Sequence, residues 1–130
     1  ESLYKGIAAA VDGARVGDIG HAVQSYAESF GFGVVRELEG HGIGTQMHES
    51  PGIPNYGRQG HGPKLRNGMT ICIEPMITAG SRNVYLDKNG WAVHTADHRN
   101  AAHYELTVVV RKGHAEQLST FDFIENSVKF

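Results

Sequence analysis

Apolar and polar residues alternate with two different periods, and the change divides the chain into a helical opening and a longer strand-rich part. Apolar residues recur at helical spacing over residues 1–11 and again over a second stretch. Asp18 is placed to open that second helix as its N-cap, and Gly31 is placed to end it. One apolar stripe on the second helix is formed by Ile19, Val23, Tyr26, Ala27 and Phe30.

The remaining apolar runs have the pattern of strands. Residues 33–41 alternate with a period of two, which predicts a single strand ending in a turn. Residues 69–76 are almost continuously apolar, which is typical of a strand covered on both faces. Further strands are predicted as a hairpin over 85–93 with Asn89-Gly90 in its turn, then over 101–110 and 116–118. We therefore predict an α/β (α+β) fold, a curved antiparallel sheet backed by two helices.

Two segments lack a regular pattern. Residues 49–68 hold three of the four prolines and several glycines, which predicts a long irregular connection at the rim of a site. Residues 119–130 form a tail that we expect to pack loosely. The 130 residues correspond to one domain, and the opening helix lacks a capping residue, as if its start were missing. We therefore expect residues 1–130 to be a single partial domain.

Composition narrows the class of protein. The net charge is −2 and the basic residues are scattered, which argues against a nucleic-acid site or an anionic membrane surface. A single cysteine, Cys72, excludes an internal disulfide. No apolar run approaches the ~20 residues of a membrane span. These features predict a soluble, cytoplasmic protein.

Three separated segments carry the candidate chemistry. His41 and His48 flank a glycine-spaced turn, Glu74 interrupts the most apolar strand, and Glu105 lies beside another apolar run. Neutral imidazole and carboxylate are ligands for zinc, manganese, iron or cobalt. A bare carboxylate in such a strand would cost several kcal/mol unless it were paired or bound to metal. The sequence therefore predicts a divalent-metal site.

More ordinary explanations are open for each residue. His41 could be a turn histidine that bonds a nearby carbonyl group. Glu74 could instead form a buried ion pair with Arg36, Lys64 or Arg66. Cys72 is most simply a small buried residue, although alternation places it on the same side of its strand as Glu74.

Several ordered blocks of residues identify a family. They include Gly40-His41-Gly42-Ile43-Gly44, His48-Glu49, Pro54-Asn55-Tyr56, Ile73-Glu74-Pro75-Met76 and Ala102-His103-Tyr104-Glu105. In these blocks the chain resembles the bacterial type I methionine aminopeptidases, members of the pita-bread metallopeptidase family M24. The resemblance extends from Leu3 to Ser119 and implies the C-terminal half of a pita-bread fold.

The resemblance implies an enzyme that removes the initiator methionine from nascent polypeptides. It implies two divalent metal ions of cobalt, manganese, iron, zinc or nickel. By position, His41 would be a metal ligand, Glu74 a ligand and proton relay, and Glu105 a carboxylate bridging both ions. The substrates would be the N-termini of nascent polypeptides, and an association with the ribosome is a further expectation from the resemblance.

Further roles follow from the same resemblance. His48 would contact the scissile amide and steady the tetrahedral intermediate. Met47 and Trp91 would help to line the pocket for the methionine side chain.

Two departures from the family pattern matter. The family takes two aspartate ligands and a pocket histidine from an N-terminal half, and no aspartate of this chain stands in a matching motif. We therefore expect the chain alone to bind metal weakly and to have little or no activity without that missing half. The second departure is Leu106, where the family commonly has histidine; alternation turns Leu106 away from the face of Glu105.

Two rival functions remain. A non-catalytic pita-bread binding module for peptides or partner proteins is favoured by Leu106 and the absent aspartates. A related peptidase that cuts before proline, or one that acts on small amidino compounds, shares the residues around His41 and Glu74 in outline. The methionine pocket would discriminate between these peptidases.

Overall fold

A computed structural model describes residues 1–128, and it confirms the mixed α/β fold class. The helices are α1 (Ser2–Ala9), α2 (Val16–Ser29) and α3 (Asp122–Glu125). The strands are β1 (Gly33–Val34), β2 (Gly40–Gly42), β3 (Glu49–Ile53), β4 (Thr70–Ile73), β5 (Met76–Thr78), β6 (Val84–Leu86), β7 (Val93–Thr95), β8 (Ala101–His103), β9 (Leu106–Val110) and β10 (Ala115–Gln117). Within this described part, every helix is too short or too polar to cross a membrane.

The ends of α2 agree with the sequence at one terminus and not at the other. The prediction that Asp18 is the N-cap is wrong, because α2 begins at Val16 and Asp18 lies inside its first turn. There its carboxylate accepts the backbone N–H of Arg15 at 2.7 Å. The predicted stop at Gly31 is confirmed, since Gly31 has a φ of +78° and the N–H groups of Gly31 and Phe32 bond back to the last turn.

The strands form three antiparallel groups. The five-stranded sheet has the order β10-β9-β4-β2-β3, the three-stranded sheet the order β1-β5-β8, and β6 and β7 form a hairpin. The hairpin is confirmed, with Gly90 at a φ of +71° in its turn. The last short strand is also confirmed as β10, which pairs with β9.

Three predicted long strands are each divided in two. Residues 33–41 become β1 and β2, residues 69–76 become β4 and β5, and residues 101–110 become β8 and β9. In every case one piece joins the three-stranded sheet and the other joins the five-stranded sheet. The prediction of single strands is wrong at these breaks, because the chain turns there from one sheet into the other. We call the line of these three breaks, at residues 35–39, 74–75 and 104–105, the seam.

The predicted irregular connection over 49–68 is wrong at its start. β3 pairs with β2 at the edge of the five-stranded sheet. Pro51 is tolerated there because an edge strand leaves one side of its backbone unpaired. The pairing of β2 with β3 shifts register between His41 and Gly42, next to the candidate ligand.

One face of the five-stranded sheet is covered by α1 and α2. The core cluster combines helix residues such as Leu3, Ile7 and Ile19 with strand residues such as Ile71 and Val108. The rest of this cluster is formed by Ala10, Val16, Ile53, Leu65, Ile73, Leu106 and Val110. The helices therefore hold the sheet that carries the candidate ligands.

One side chain departs from the predicted stripe, and part of the tail packs on the core. Phe30 is 64% exposed and packs on Tyr26 with ring centroids 5.1 Å apart, so its place in the buried stripe is wrong. In the tail, Phe121 packs against the core and the Ser119 hydroxyl accepts the Thr107 N–H at 3.0 Å. Residues 129–130 of the predicted tail lie outside the described residues.

Candidate metal centre

The seam brings together the three segments that the sequence analysis singled out. Glu74 follows the last residue of β4, Glu105 precedes the first residue of β9, and His41 is the central residue of β2. β2, β4 and β9 are adjacent strands, with His41 paired to Cys72 and Cys72 paired to Thr107. Sheet register therefore fixes the relative positions of these residues.

One ring nitrogen of His41 is placed to bind a metal ion. Its Nδ1 lies 2.8 Å from the carbonyl oxygen of Gly42, which can only accept a hydrogen bond. Nδ1 therefore donates a proton to that oxygen, and in the neutral imidazole the lone pair lies on Nε2. Nε2 lies 3.6 Å from Oε1 of Glu74. A backbone carbonyl that orients the imidazole in this way is the usual support of a metal-binding histidine.

Glu74 is enclosed by histidines, and the predicted alternative of an ion pair with Arg36, Lys64 or Arg66 is wrong. Its side chain is 13% exposed, with Oε1 facing His41 and Oε2 lying 3.2 Å from Nε2 of His103. The Arg36 guanidinium instead lies over the Tyr56 ring, 4.8 Å from its centroid.

Burial raises the pKa of the Glu74 carboxyl, and the nearby Glu105 carboxylate raises it further. His103 and His41 act in the opposite direction. A carboxyl whose pKa is higher in the folded than in the unfolded state contributes stability below its ordinary pKa. That contribution is lost as pH rises through the raised value.

The variant Glu74→Gln should therefore stabilise the metal-free chain at neutral pH, by about 1 kcal/mol. The gain should shrink as pH falls toward about 4, where the ordinary glutamate is also protonated. Urea unfolding at several pH values measures it, with the exposed Glu28→Gln on α2 as the control. A loss of stability at neutral pH would show that the histidines fully compensate the buried charge.

Glu105 belongs to two overlapping groups of metal-donor atoms. The first consists of His41, Cys72 and Glu105, and the second of Glu74, His103 and Glu105. Within each group the donor atoms all lie within 4.8 Å of one another. Imidazole nitrogen, carboxylate oxygen and thiol sulfur are donors that borderline divalent ions accept, so these residues fit a metal centre.

The side chain of His48 lies next to that of His41. Their ring centroids are 4.2 Å apart and the rings are tilted by 54°. Both histidines line a cleft of about 510 Å³ together with Glu74 and His103. Apolar side chains form another part of its wall, namely Val35, Leu38, Met76, Val84 and Val93. The cleft thus combines candidate ligands with an apolar surface.

Met47 and Trp91 are not brought to this cleft. Their side chains are 70% and 89% exposed, and neither is among the described residues that line it. Trp91 follows the turn of the β6–β7 hairpin, where its N–H bonds the Asn89 side chain. Their roles in a substrate pocket stay predictions.

Leu106 is where alternation placed it. It is buried in the core cluster and pairs with Ile73 across β4 and β9, on the side away from Glu105. A leucine there removes no donor atom from the centre.

Three contacts around the centre were missed from sequence. Asn55 is fully buried, and its Nδ2 donates to the carbonyl oxygen of Glu74 at 3.2 Å, which anchors that residue's backbone. Nε2 of His103 lies 3.2 Å from Oε2 of Glu74, a contact between residues 29 positions apart. His94 lines the cleft although its sequence context gave no sign of this. Asn55 belongs to the Pro54-Asn55-Tyr56 block that carries the family resemblance. Its contact with Glu74 joins residues 19 positions apart, so no local sequence pattern predicts it.

Comparison with known proteins places this geometry in context. The model of metallopeptidase family M24 matches residues 1–112. The methionine aminopeptidase of Clostridium acetobutylicum is 54% identical over 110 residues, covering 85% of this chain and 44% of that protein. Methionine aminopeptidase 1 of Bacillus subtilis is 48% identical over 110 residues, with the same 85% and 44% coverage. The chain thus spans less than half the length of these relatives.

Solved structures agree with the sequence relatives. The methionine aminopeptidase of Rickettsia prowazekii superposes with a TM-score of 0.87 at 46% identity, over 89% of this chain and 47% of that one. The X-Pro aminopeptidase of Thermotoga maritima superposes with a TM-score of 0.64 at 22% identity, over 92% and 28% of the two chains. At that identity the second likeness concerns the pita-bread fold alone.

Proposed function

This chain belongs to metallopeptidase family M24, and we propose on that premise that it supplies the C-terminal half of a methionine aminopeptidase. The reaction is the metal-dependent removal of N-terminal methionine from new polypeptides. The observation that carries the proposal is the convergence of His41, Glu74 and Glu105, two of which, His41 and Glu74, also line a partly apolar cleft. A chain 54% identical to a methionine aminopeptidase makes this chemistry the best supported.

The donor set suits two divalent ions of cobalt, manganese, iron, zinc or nickel. Nε2 of His41 and the carboxylates of Glu74 and Glu105 would hold them. When bound, such ions supply an activated water and polarise the scissile carbonyl.

The remaining steps are assigned to side chains. The partly buried Glu74 carboxylate accepts the proton of the attacking water and passes it to the leaving amine. His48, beside His41 on the cleft wall, donates a hydrogen bond to the oxygen that gains charge at the scissile carbonyl. The apolar wall of the cleft accommodates an unbranched thioether side chain.

We propose that this centre is completed from outside the residues of this chain. The family's two aspartates have no counterpart in its motifs, so a segment that carries them would supply the remaining ligands. The proposed setting is the cytoplasm, where nascent chains emerge from the ribosome. A C-terminal half without those aspartates should hold its metals weakly and be inactive alone.

Complementation tests the function. The chain, mixed with the amino-terminal part of the Clostridium acetobutylicum relative, should hydrolyse Met-Ala-Ser in the presence of manganese or cobalt. The chain alone should release no methionine above background. The rate is measured by chromatographic detection of free methionine, and assembly of the mixture is checked by size-exclusion chromatography.

The possible outcomes distinguish the proposed function from its two rivals. Activity of the chain alone would overturn the requirement for the two aspartates. Assembly without activity would favour a non-catalytic binding module for peptides. Preferential cleavage of a second peptide that has proline in its second position, assayed alongside Met-Ala-Ser, would assign the chain to a different peptidase of the same family.

A further inference from the structure

The single cysteine of the chain points into the metal centre. Cys72 lies in β4, two residues before Glu74, and is 1% exposed. Its Sγ, together with donor atoms of His41 and Glu105, forms a group in which all atoms lie within 4.8 Å of one another. Nitrogen, sulfur and oxygen donors therefore lie close together, from the imidazole of His41, the thiol of Cys72 and the carboxylate of Glu105.

The position of the thiol is fixed by the sheet. Cys72 is paired with His41 on β2 and with Thr107 on β9, so it sits on the central one of three adjacent strands. Its Sγ makes a weak hydrogen bond to Oγ1 of Thr107 at 3.4 Å. A metal–sulfur bond would replace that hydrogen bond.

We propose that Cys72 is a further ligand of the metal centre and that, with His41 and Glu105, it makes a mixed nitrogen, sulfur and oxygen site for a thiophilic divalent ion such as zinc or cadmium. This inference rests on the metal centre of the proposed function. It adds a donor that carboxylates and histidines alone would not provide, and it shifts the preference of the centre away from manganese.

The chemistry balances without an oxidant. The Cys72 S–H bond breaks, its proton passes to solvent, and the sulfur electron pair forms the bond to the ion. Ligand atoms around a four-coordinate zinc lie about 3.3 to 3.7 Å apart, given metal–ligand bonds of about 2.0 to 2.3 Å. Separations of up to 4.8 Å require a contraction of at most about 1.5 Å, to which side-chain rotation of the exposed Glu105 can contribute.

Cadmium titration of the 130-residue chain tests the proposal under anaerobic, reducing conditions. Because the chain has one cysteine, any thiolate-to-cadmium absorption in the ultraviolet comes from Cys72. We expect this absorption to saturate at one thiolate per chain, with one proton released from the thiol. In Cys72→Ser the absorption should vanish and cadmium affinity should fall about tenfold to a hundredfold. Circular dichroism checks folding, and Cys72→Ala serves as a second variant.

His41→Ala and His61→Ala provide matched histidine variants. His41→Ala should weaken cadmium binding about tenfold or more, whereas His61→Ala, on the exposed loop after β3, should leave it unchanged. Calorimetric binding of cadmium without thiolate absorption would overturn the role of Cys72 and leave the proposed centre standing. Thiolate absorption that is insensitive to His41→Ala would overturn it as well. No binding of cadmium or zinc to the chain would overturn the role of Cys72, whereas the proposed function is decided separately by the complementation assay.

Discussion

Glu105→Gln is expected to abolish the peptidase activity of the complemented chain, with a loss of at least about 1000-fold in kcat/KM. The reason is that Glu105 belongs to both groups of donor atoms, so neutralising it weakens the whole centre. A neutral amide cannot offset the charge of two cations, whereas losing a ligand to one ion would leave the other in place. The measurement is initial-rate hydrolysis of Met-Ala-Ser by the assembled mixture.

The control for this prediction is Glu116→Gln. Glu116 lies on β10, at the opposite edge of the five-stranded sheet from β3, and pairs with Arg111 at 2.7 Å. Its loss removes an exposed ion pair worth about 0 to 1 kcal/mol and should leave hydrolysis unchanged. Glu105→Gln activity within tenfold of the unmodified chain would contradict the bridging role. Calorimetry with manganese separates loss of metal from loss of chemistry.

Gly40→Ala should destabilise the chain by about 3 kcal/mol or more and empty the centre of metal. A Cβ atom at Gly40 would lie 2.2 Å from the carbonyl oxygen of Cys72, which is backbone and cannot rotate away. Relief of this clash requires β2 to move away from β4. The register that aligns His41 with Cys72 would then be lost. Urea unfolding and cadmium titration measure the two effects.

Gly44→Ala is the matched control for Gly40→Ala. Its added Cβ would lie 2.7 Å from Oε2 of Glu49, which is the end of a flexible side chain. Rotation of Glu49 relieves that contact, so we expect a change of less than about 1 kcal/mol. Equal effects of the two substitutions would mean that close packing of β2 on β4 does not hold the centre.

The local elements could be predicted from sequence because their signals are local. Apolar spacing marked both long helices, Gly31 marked the end of α2, and Asn89-Gly90 marked the hairpin turn. The division of three strands at the seam could not be predicted, because alternation continues through a bend and does not record which sheet a residue joins. Strand β3 was missed for a related reason, since Pro51 excludes a central strand but not an edge strand.

The candidate site follows the same division. His41, Glu74 and Glu105 were visible as polar residues in apolar or glycine-rich surroundings, and the structure brings their segments together. The contact between Asn55 and the Glu74 backbone depends on a fold-back over 19 residues, which no local pattern encodes. The assignment of Met47 and Trp91 came from resemblance alone, and both side chains are exposed in the described residues.

The seam has a consequence for how the molecule responds to its ligand. His41 and Cys72 belong to the five-stranded sheet, whereas His103 belongs to the three-stranded sheet and Glu74 and Glu105 lie between the two. Metal ions bound at this centre would therefore link residues of the five-stranded sheet to the residues between the two sheets. Metal binding should therefore slow amide hydrogen exchange in the residues on both sides of the breaks. The angle between the two sheets would also change with metal occupancy of the centre.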